Sequence, residues 1–233
     1  MMFVRKDLTG LFDEDVEHGC RLVTFVNPYS YYILEDSGLH HEFDFIFVDG
    51  ISLVKIYNCI HKDKIKRYSF DFTSLAPIVF DFCILNELKV AIVGGSEQEV
   101  ASAQRLLMSK YPNLNVVYSR NGFFNDELEC LETTSEMNSL SVDVVISGMG
   151  TPKQESFLLE CKNNVSSLKY GFTCGGFLSQ ISQNPEYFHP VFDKLNMRWA
   201  QRFFRHSYVR KRLIKDYPAF FFKYLKKNVK FGK

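Results

Sequence analysis

Along most of the chain, short apolar runs rich in β-branched residues alternate with longer stretches whose apolar residues recur at helical spacing. Six runs read as strands: Leu22–Asn27, Phe43–Val48, Lys89–Val93, Asn115–Ser119, Val142–Ser147 and Lys169–Thr173. The β-branched run from Val142 to Ile146 reads as a strand covered on both faces, the usual position in a parallel sheet. Helical periodicity is clearest from Ser96 to Tyr111, where Val100, Ala103, Leu106, Leu107 and Tyr111 gather on one side. This alternation predicts an α/β fold: a mainly parallel, Rossmann-like sheet with helices on both faces. Beyond Lys194 the pattern gives way to consecutive basic helices, with Pro218 expected to separate the last two. The expected organisation is an α/β domain over 1–195 and a basic, aromatic-rich helical appendage over 196–233.

Chemistry is expected where strands end, because ligands of open α/β sheets collect in the crevice at the strands' carboxyl edge. The run from Val142 to Ile146 stops at Gly148 and Gly150 and restarts as a polar helix opening, Thr151-Pro152-Lys153-Gln154-Glu155. The glycines allow a sharp turn with no Cβ in a ligand's way. Thr151 reads as the helix N-cap and Pro152 as its first residue, so that Lys153, Gln154 and Glu155 project beside the crevice. Two further strands close in the same way, at Gly94-Gly95 and at Gly175-Gly176. After Gly95, Ser96 and Glu99 stand at capping-box spacing, which offers a helix N-terminus to a phosphate or ribose. Any one such turn is also an ordinary strand-to-helix connection; three on one sheet edge favour a nucleotide-sized ligand. The Gly94 turn does not satisfy G-x-G-x-x-G with a following strand-end acid, so a nicotinamide-binding oxidoreductase is not supported. Asp49 ends the apolar run Phe45–Val48 and precedes Gly50. Two roles suit that place equally: a general base at the crevice, or the N-cap of a helix starting near Ile51.

The chain's 233 residues are 46% hydrophobic, enough for a sizeable core, and a formal net charge of +1 hides a strong asymmetry. From Asn196 to Lys233 twelve basic side chains stand against one acid, Asp216, with Trp199, Phe203, Tyr217 and Phe222 among the rings interleaved with them. That mixture suits an anionic, partly apolar surface such as lipid headgroups. Docking of the rings on the core and binding of nucleic acid are the alternatives. Cys20, Cys59, Cys83, Cys130, Cys161 and Cys174 show neither CxxC nor Cys/His ligand spacing, so free thiols are expected rather than zinc or a disulfide framework. No signal peptide and no membrane span are read from the sequence, and a cytoplasmic location is expected.

In order along the chain, Asn27, Asp49-Gly50-Ile51, Arg67, Gly94-Gly95, Asn121-Gly122-Phe123-Phe124, Gly148-x-Gly150-x-Pro152-Lys153-Gln154-Glu155 and Trp199-x-x-Arg202 resemble the WecG/TagA/CpsF family of bacterial glycosyltransferases. The resemblance runs from about residue 20 to 216, and Gly-x-Gly-x-Pro-Lys-Gln-Glu is a quite specific element. It implies an inverting enzyme of cell-surface polysaccharide synthesis, peripheral on the inner face of the plasma membrane. Such an enzyme moves N-acetylmannosamine, or a related hexose or uronic acid, from a UDP-sugar to a polyprenyl-diphosphate-linked glycan. The implied partners are that donor, that acceptor and an anionic membrane surface met by the tail. No cofactor, metal or nucleic acid is implied, and self-association stays open. A non-catalytic nucleotide-binding membrane adaptor is the alternative function.

Matched position by position, Asp49 takes the place of the family's proposed base and Gln154 that of a glutamine in the same pocket. Arg202, Arg210 and Arg212 match appendage arginines that meet the diphosphates. Substrate binding is expected at Thr24, Asn27, Arg67, Gly94, Gly95 and Gly148. Gly150, Lys153, Glu155, Gly176 and Gln180 complete that set. The sequence departs from the family where substrate identity would be read. Thr24-Phe25-Val26-Asn27 replaces a common Thr-Pro-Asn, Leu178 stands where an Asp often follows the third glycine turn, with Gln180 as its substitute, and Phe188-His189-Pro190 replaces Arg-Ala-Pro. The donor sugar is therefore open to one other than N-acetylmannosamine. Asp13-Glu14-Asp15, the acidic triplet nearest to a divalent-cation motif, follows no strand and reads as a solvated helix face.

Overall fold

The computed structural model describes residues 2–13, 19–183 and 210–228. Six strands, β1 Arg21–Val26, β2 Phe45–Val48, β3 Val90–Gly94, β4 Val116–Arg120, β5 Val144–Gly148 and β6 Tyr170–Thr173, form one sheet in the order β2-β1-β6-β5-β3-β4. Every pairing is parallel, and each strand lies within two residues of its expected ends. The described helices are α1 Ser30–Ser37, α2 Ile51–Ile60, α3 Leu75–Leu85, α4 Glu97–Lys110, α5 Glu127–Ser139, α6 Lys153–Asn164, α7 Phe177–Gln183 and α8 Tyr217–Asn228.

Successive strand residues point to opposite faces, so uniformly apolar strands feed two cores. On one face Val23, Phe47, Ile92, Ile146 and Phe172 pack with Val79 and Phe80 of α3, Leu107 of α4 and Phe177 of α7. On the other, Leu22, Val48, Val93 and Val145 pack with Leu34 of α1, Leu53 of α2 and Leu158 of α6. Each such side chain contributes about 1.5–3 kcal/mol through burial, which fixes the sheet and therefore its carboxyl edge.

Helix starts show where local expectation holds and where it yields. The capping box of α4 is formed: Ser96 Oγ accepts from the Glu99 N–H, and Glu99 Oε2 accepts from the Ser96 N–H. At α6 the expected cap is not made. Pro152 occupies the N-cap position after a cis Thr151–Pro152 peptide, and the Thr151 hydroxyl donates instead to Glu155 Oε1 at 3.1 Å. The helix begins one residue later than expected, which takes Thr151 out of the cap position and leaves its hydroxyl hydrogen to the buried Glu155 side chain. At α2 the N-cap is Gly50, and the Asp49 carboxylate turns away to Arg67.

In the appendage, Arg212–Asp216 forms a π-helical turn that runs directly into α8, so Pro218 does not separate two helices. A proline ring crowds the carbonyl four residues back, and a wider turn just ahead of it relieves that crowding. Phe220 and Tyr224 of α8 are buried against Tyr31, with ring centroids 5.6 and 5.7 Å away. The docking alternative thus holds for these two rings, whereas Ile214 and Phe222 stay exposed at 69% and 74%. The boundary expected near residue 195, Trp199, Arg202 and Phe188-His189-Pro190 lie outside the described residues.

Candidate active site

The carboxyl ends of β2, β1, β6 and β5, four neighbours in the sheet, open on one cleft of about 620 Å³. That volume falls in the ordinary range for ligand pockets. Of the expected site residues, Asn27, Asp49, Arg67, Gly148, Gly150 and Lys153 line it, as do Gln154, Gly176, Gln180 and Arg212. Gly94 and Gly95 do not, because β3 lies on the far side of β5. Their turn is nevertheless close. A Cβ on Gly94 would stand 2.5 Å from the Gly148 carbonyl oxygen, and one on Gly148 would stand 2.7 Å from that of Gly175. The three glycine turns are stacked on one another, and the missing side chains serve that backbone approach as much as any ligand.

Asp49 leaves β2 at the lip of the cleft. Arg67, joined to Val48 by a single parallel bridge, wraps round it. Its Nε donates to the Asp49 carbonyl at 2.7 Å and its Nη2 to Asp49 Oδ1 at 2.9 Å. The same Nη2 reaches Ser69 Oγ at 2.8 Å and Asp71 Oδ2 at 3.4 Å, while Ser69 Oγ donates to Asp71 Oδ2 at 2.6 Å. Burial works against the Arg67 charge, but Asp49 and Asp71 outweigh it and raise the guanidinium pKa. Arg67, expected to hold substrate, is therefore occupied in orienting Asp49. No hydrogen bond to Asp49 Oδ2 forms among the described residues, and the side chain is 30% exposed in the cleft. Ser69 and Asp71 were missed by sequence reading; the signal was an Arg-x-Ser-x-Asp string with no regular element around it.

Beneath the cleft lies a buried polar knot. Gln154, 3% exposed, accepts from the Gly175 N–H at 3.2 Å and donates through Nε2 to Glu155 Oε1 at 3.0 Å. Glu155 Oε1 also accepts from Thr24 Oγ1 at 2.9 Å and Thr151 Oγ1 at 3.1 Å, and Thr173 Oγ1 donates to Thr24 Oγ1 at 3.0 Å. Gln154 therefore lines the cleft while tying the β5 and β6 turns together. Thr24 and Glu155, expected to meet substrate, are both 0% exposed and line no part of it. Glu155 shares the sheet-facing side of α6 with Leu158, three residues on. Its Oε2 is buried without a partner among the described residues, and desolvation raises its pKa.

The appendage supplies the remaining wall. Arg212 and Tyr217 line the cleft, whereas Arg210 is exposed and does not; Arg202 lies outside the described residues. The Arg212 guanidinium carbon sits 3.7 Å from the ring centroid of Tyr29, another wall residue. Leu178 is buried in the core, so the place of the family's frequent acid faces no ligand, while Gln180 does line the cleft. Among the described residues no three His, Cys, Asp or Glu side chains cluster as a metal site.

The chain matches the glycosyl transferase WecG/TagA/CpsF family over residues 5–233. A UDP-Gal:alpha-D-GlcNAc-diphosphoundecaprenol beta-1,4-galactosyltransferase of Shigella boydii is 37% identical over 210 residues, which is 89% of this chain and 87% of that one. An N-acetylglucosaminyldiphosphoundecaprenol N-acetyl-beta-D-mannosaminyltransferase of Staphylococcus aureus (strain MW2) is 25% identical over 195 residues, 84% of this chain and 74% of that one.

Proposed function

The chain belongs to the glycosyl transferase WecG/TagA/CpsF family, and on that premise we propose that this glycosyltransferase moves galactose from UDP-galactose to N-acetylglucosamine carried on diphosphoundecaprenol. The donor is inferred from the Shigella boydii relative, to which the chain is more similar than to the Staphylococcus aureus mannosaminyltransferase. The departure at Phe25, which lines the cleft, supports a sugar other than N-acetylmannosamine.

The observation that carries the chemistry is Asp49, oriented through Oδ1 by Arg67 and open at Oδ2, in one cleft with Lys153 and Arg212. Asp49 Oδ2 takes the proton of the acceptor hydroxyl, and that oxygen attacks the anomeric carbon as the bond from this carbon to UDP breaks. UDP leaves with the electron pair. Attack from the side opposite UDP turns the donor's α bond into a β bond, the configuration in both relatives' names. Arg212 and Lys153 meet the charge that gathers on the departing diphosphate, with Arg202 and Arg210 brought in by the appendage. Gln154 and the knot beneath it hold the β5 and β6 turns in register for the donor.

The lipid-linked acceptor calls for attachment to a membrane. Among the described residues no helix is long and apolar enough to cross one. Ile214, Phe222 and Leu225, exposed beside Lys211, Lys215 and Lys226, supply a surface for resting on anionic lipid from the cytoplasmic side. The test is a panel of UDP-galactose, UDP-glucose, UDP-N-acetylglucosamine and UDP-N-acetylmannosamine with a short-chain lipid diphosphate bearing N-acetylglucosamine, read by mass spectrometry and NMR. A β-linked galactose product is expected. Transfer of N-acetylmannosamine alone would overturn the donor, and neither transfer nor UDP binding would overturn the enzymatic reading.

A further inference from the structure

The beginning of α1 and the appendage meet at the rim of the cleft. Asn27, at the end of β1, accepts through Oδ1 from the N–H groups of Tyr29 at 2.9 Å and Ser30 at 3.2 Å, and Ser30 Oγ accepts from the Asn27 N–H at 3.0 Å. This closed turn sets where the Tyr29 ring stands, and Arg212 lies on that ring. Farther along, Phe220 and Tyr224 pack on Tyr31, Lys223 meets Asp36 at 3.6 Å, and Lys227 bonds both carboxylate oxygens of Glu35 at 2.9 Å. Tyr29 and α1 thus face the described appendage from Arg212 to Lys227, and these contacts together set its register.

We propose that Tyr29 is the positioning residue that seats Arg212 in the cleft, with the rest of α1 as the dock that fixes the appendage in register. This rests on reading Arg212 as the group that meets the donor's diphosphate. A guanidinium stacked by its face on an aromatic ring keeps its N–H edge in plane for phosphate oxygens. Contacts of this kind shift an equilibrium by about twofold to thirtyfold, more as water is excluded. A seated arginine needs no search for its place when the donor enters, and this lowers the entropy lost at the transition state.

The test is a double-mutant cycle on the full chain with Tyr29→Leu, Tyr29→Phe, Arg212→Ala and the Leu/Ala pair. Each variant is assayed for kcat and KM with the UDP-sugar, and for hydrogen exchange of residues 210–217 without substrate. Tyr29→Leu should lose roughly three- to thirtyfold in kcat/KM and exchange faster over 210–217, whereas Tyr29→Phe should recover most of both. The double variant should be no worse than Arg212→Ala. Full additivity would mean that Tyr29 touches substrate independently of Arg212, which overturns the proposal. Should Arg212→Ala keep full turnover, the diphosphate reading of Arg212 fails, and the exchange data alone judge the seating. Unchanged exchange in Tyr29→Leu then overturns it.

Discussion

Replacing Glu155 by glutamine separates a buried neutral acid from a buried ion. In the folded chain Oε1 receives three hydrogen bonds, from Thr24, Thr151 and Gln154, and Oε2 is buried without a partner among the described residues. Desolvation raises the folded-state pKa above the ordinary glutamate value that the unfolded chain keeps. Between those two values folding takes up a proton. The stability contribution is therefore complete below the unfolded value and is lost as pH rises through the folded one, by up to about 1.4 kcal/mol per pH unit. Glutamine keeps a carbonyl oxygen for the three donors and cannot ionise. Its advantage over the wild type should be small in acid, grow as pH rises through that window and then level off. Glu155→Ala instead removes the acceptor shared by Thr24 Oγ1, Thr151 Oγ1 and Gln154 Nε2, and leaves Gln154 only its longer contact to Thr151 Oγ1 at 3.4 Å. At about 1–3 kcal/mol for each donor so stranded, the loss is about 2–6 kcal/mol in acid and shrinks as pH rises, because the wild type itself then gives up stability. Urea unfolding followed by circular dichroism at stepped pH measures both variants. A constant offset between wild type and Glu155→Gln across the range would refute the neutral-acid account.

Asp49→Asn should lower turnover by roughly 10²- to 10⁴-fold, with UDP affinity by calorimetry close to wild type; undiminished turnover would remove Asp49 as the base. Arg67→Ala should reduce kcat more than UDP affinity, since its guanidinium is bonded to Asp49; a selective loss of UDP binding would return Arg67 to the substrate. Gly148→Ala places a methyl group 2.7 Å from the Gly175 carbonyl and 2.8 Å from Cys174 Sγ, and should cost at least about 1–3 kcal/mol in a thermal melt. Phe222→Asp with Lys226→Glu should weaken binding to anionic vesicles and its salt dependence while sparing turnover on a water-soluble acceptor; unaltered vesicle binding would place the membrane contact elsewhere.

All six strands, the capping box at Ser96 and the strand-end position of Asp49 were legible in the sequence, because each rests on local periodicity or on residues a few positions apart. The same locality explains the misreadings. Thr151 and Pro152 carry the marks of a helix start, but the helix begins one residue on, and the Thr151 hydroxyl donates to a buried Glu155 that also receives the distant Thr24 of β1. Gly94-Gly95 and Gly148-x-Gly150 look equivalent along the chain; strand order alone sets one beside the cleft and the other behind it. Arg67 and Asp49 are both visible as charged residues near strand ends, yet that one fixes the other follows from an isolated bridge no pattern announces. The basic, aromatic tail declared its composition, whereas only packing against α1 decided which rings are buried and which stay exposed. Periodicity determines what a segment becomes; which segment a carboxylate, glycine or ring then meets is decided by the order of strands, and so by the tertiary structure alone.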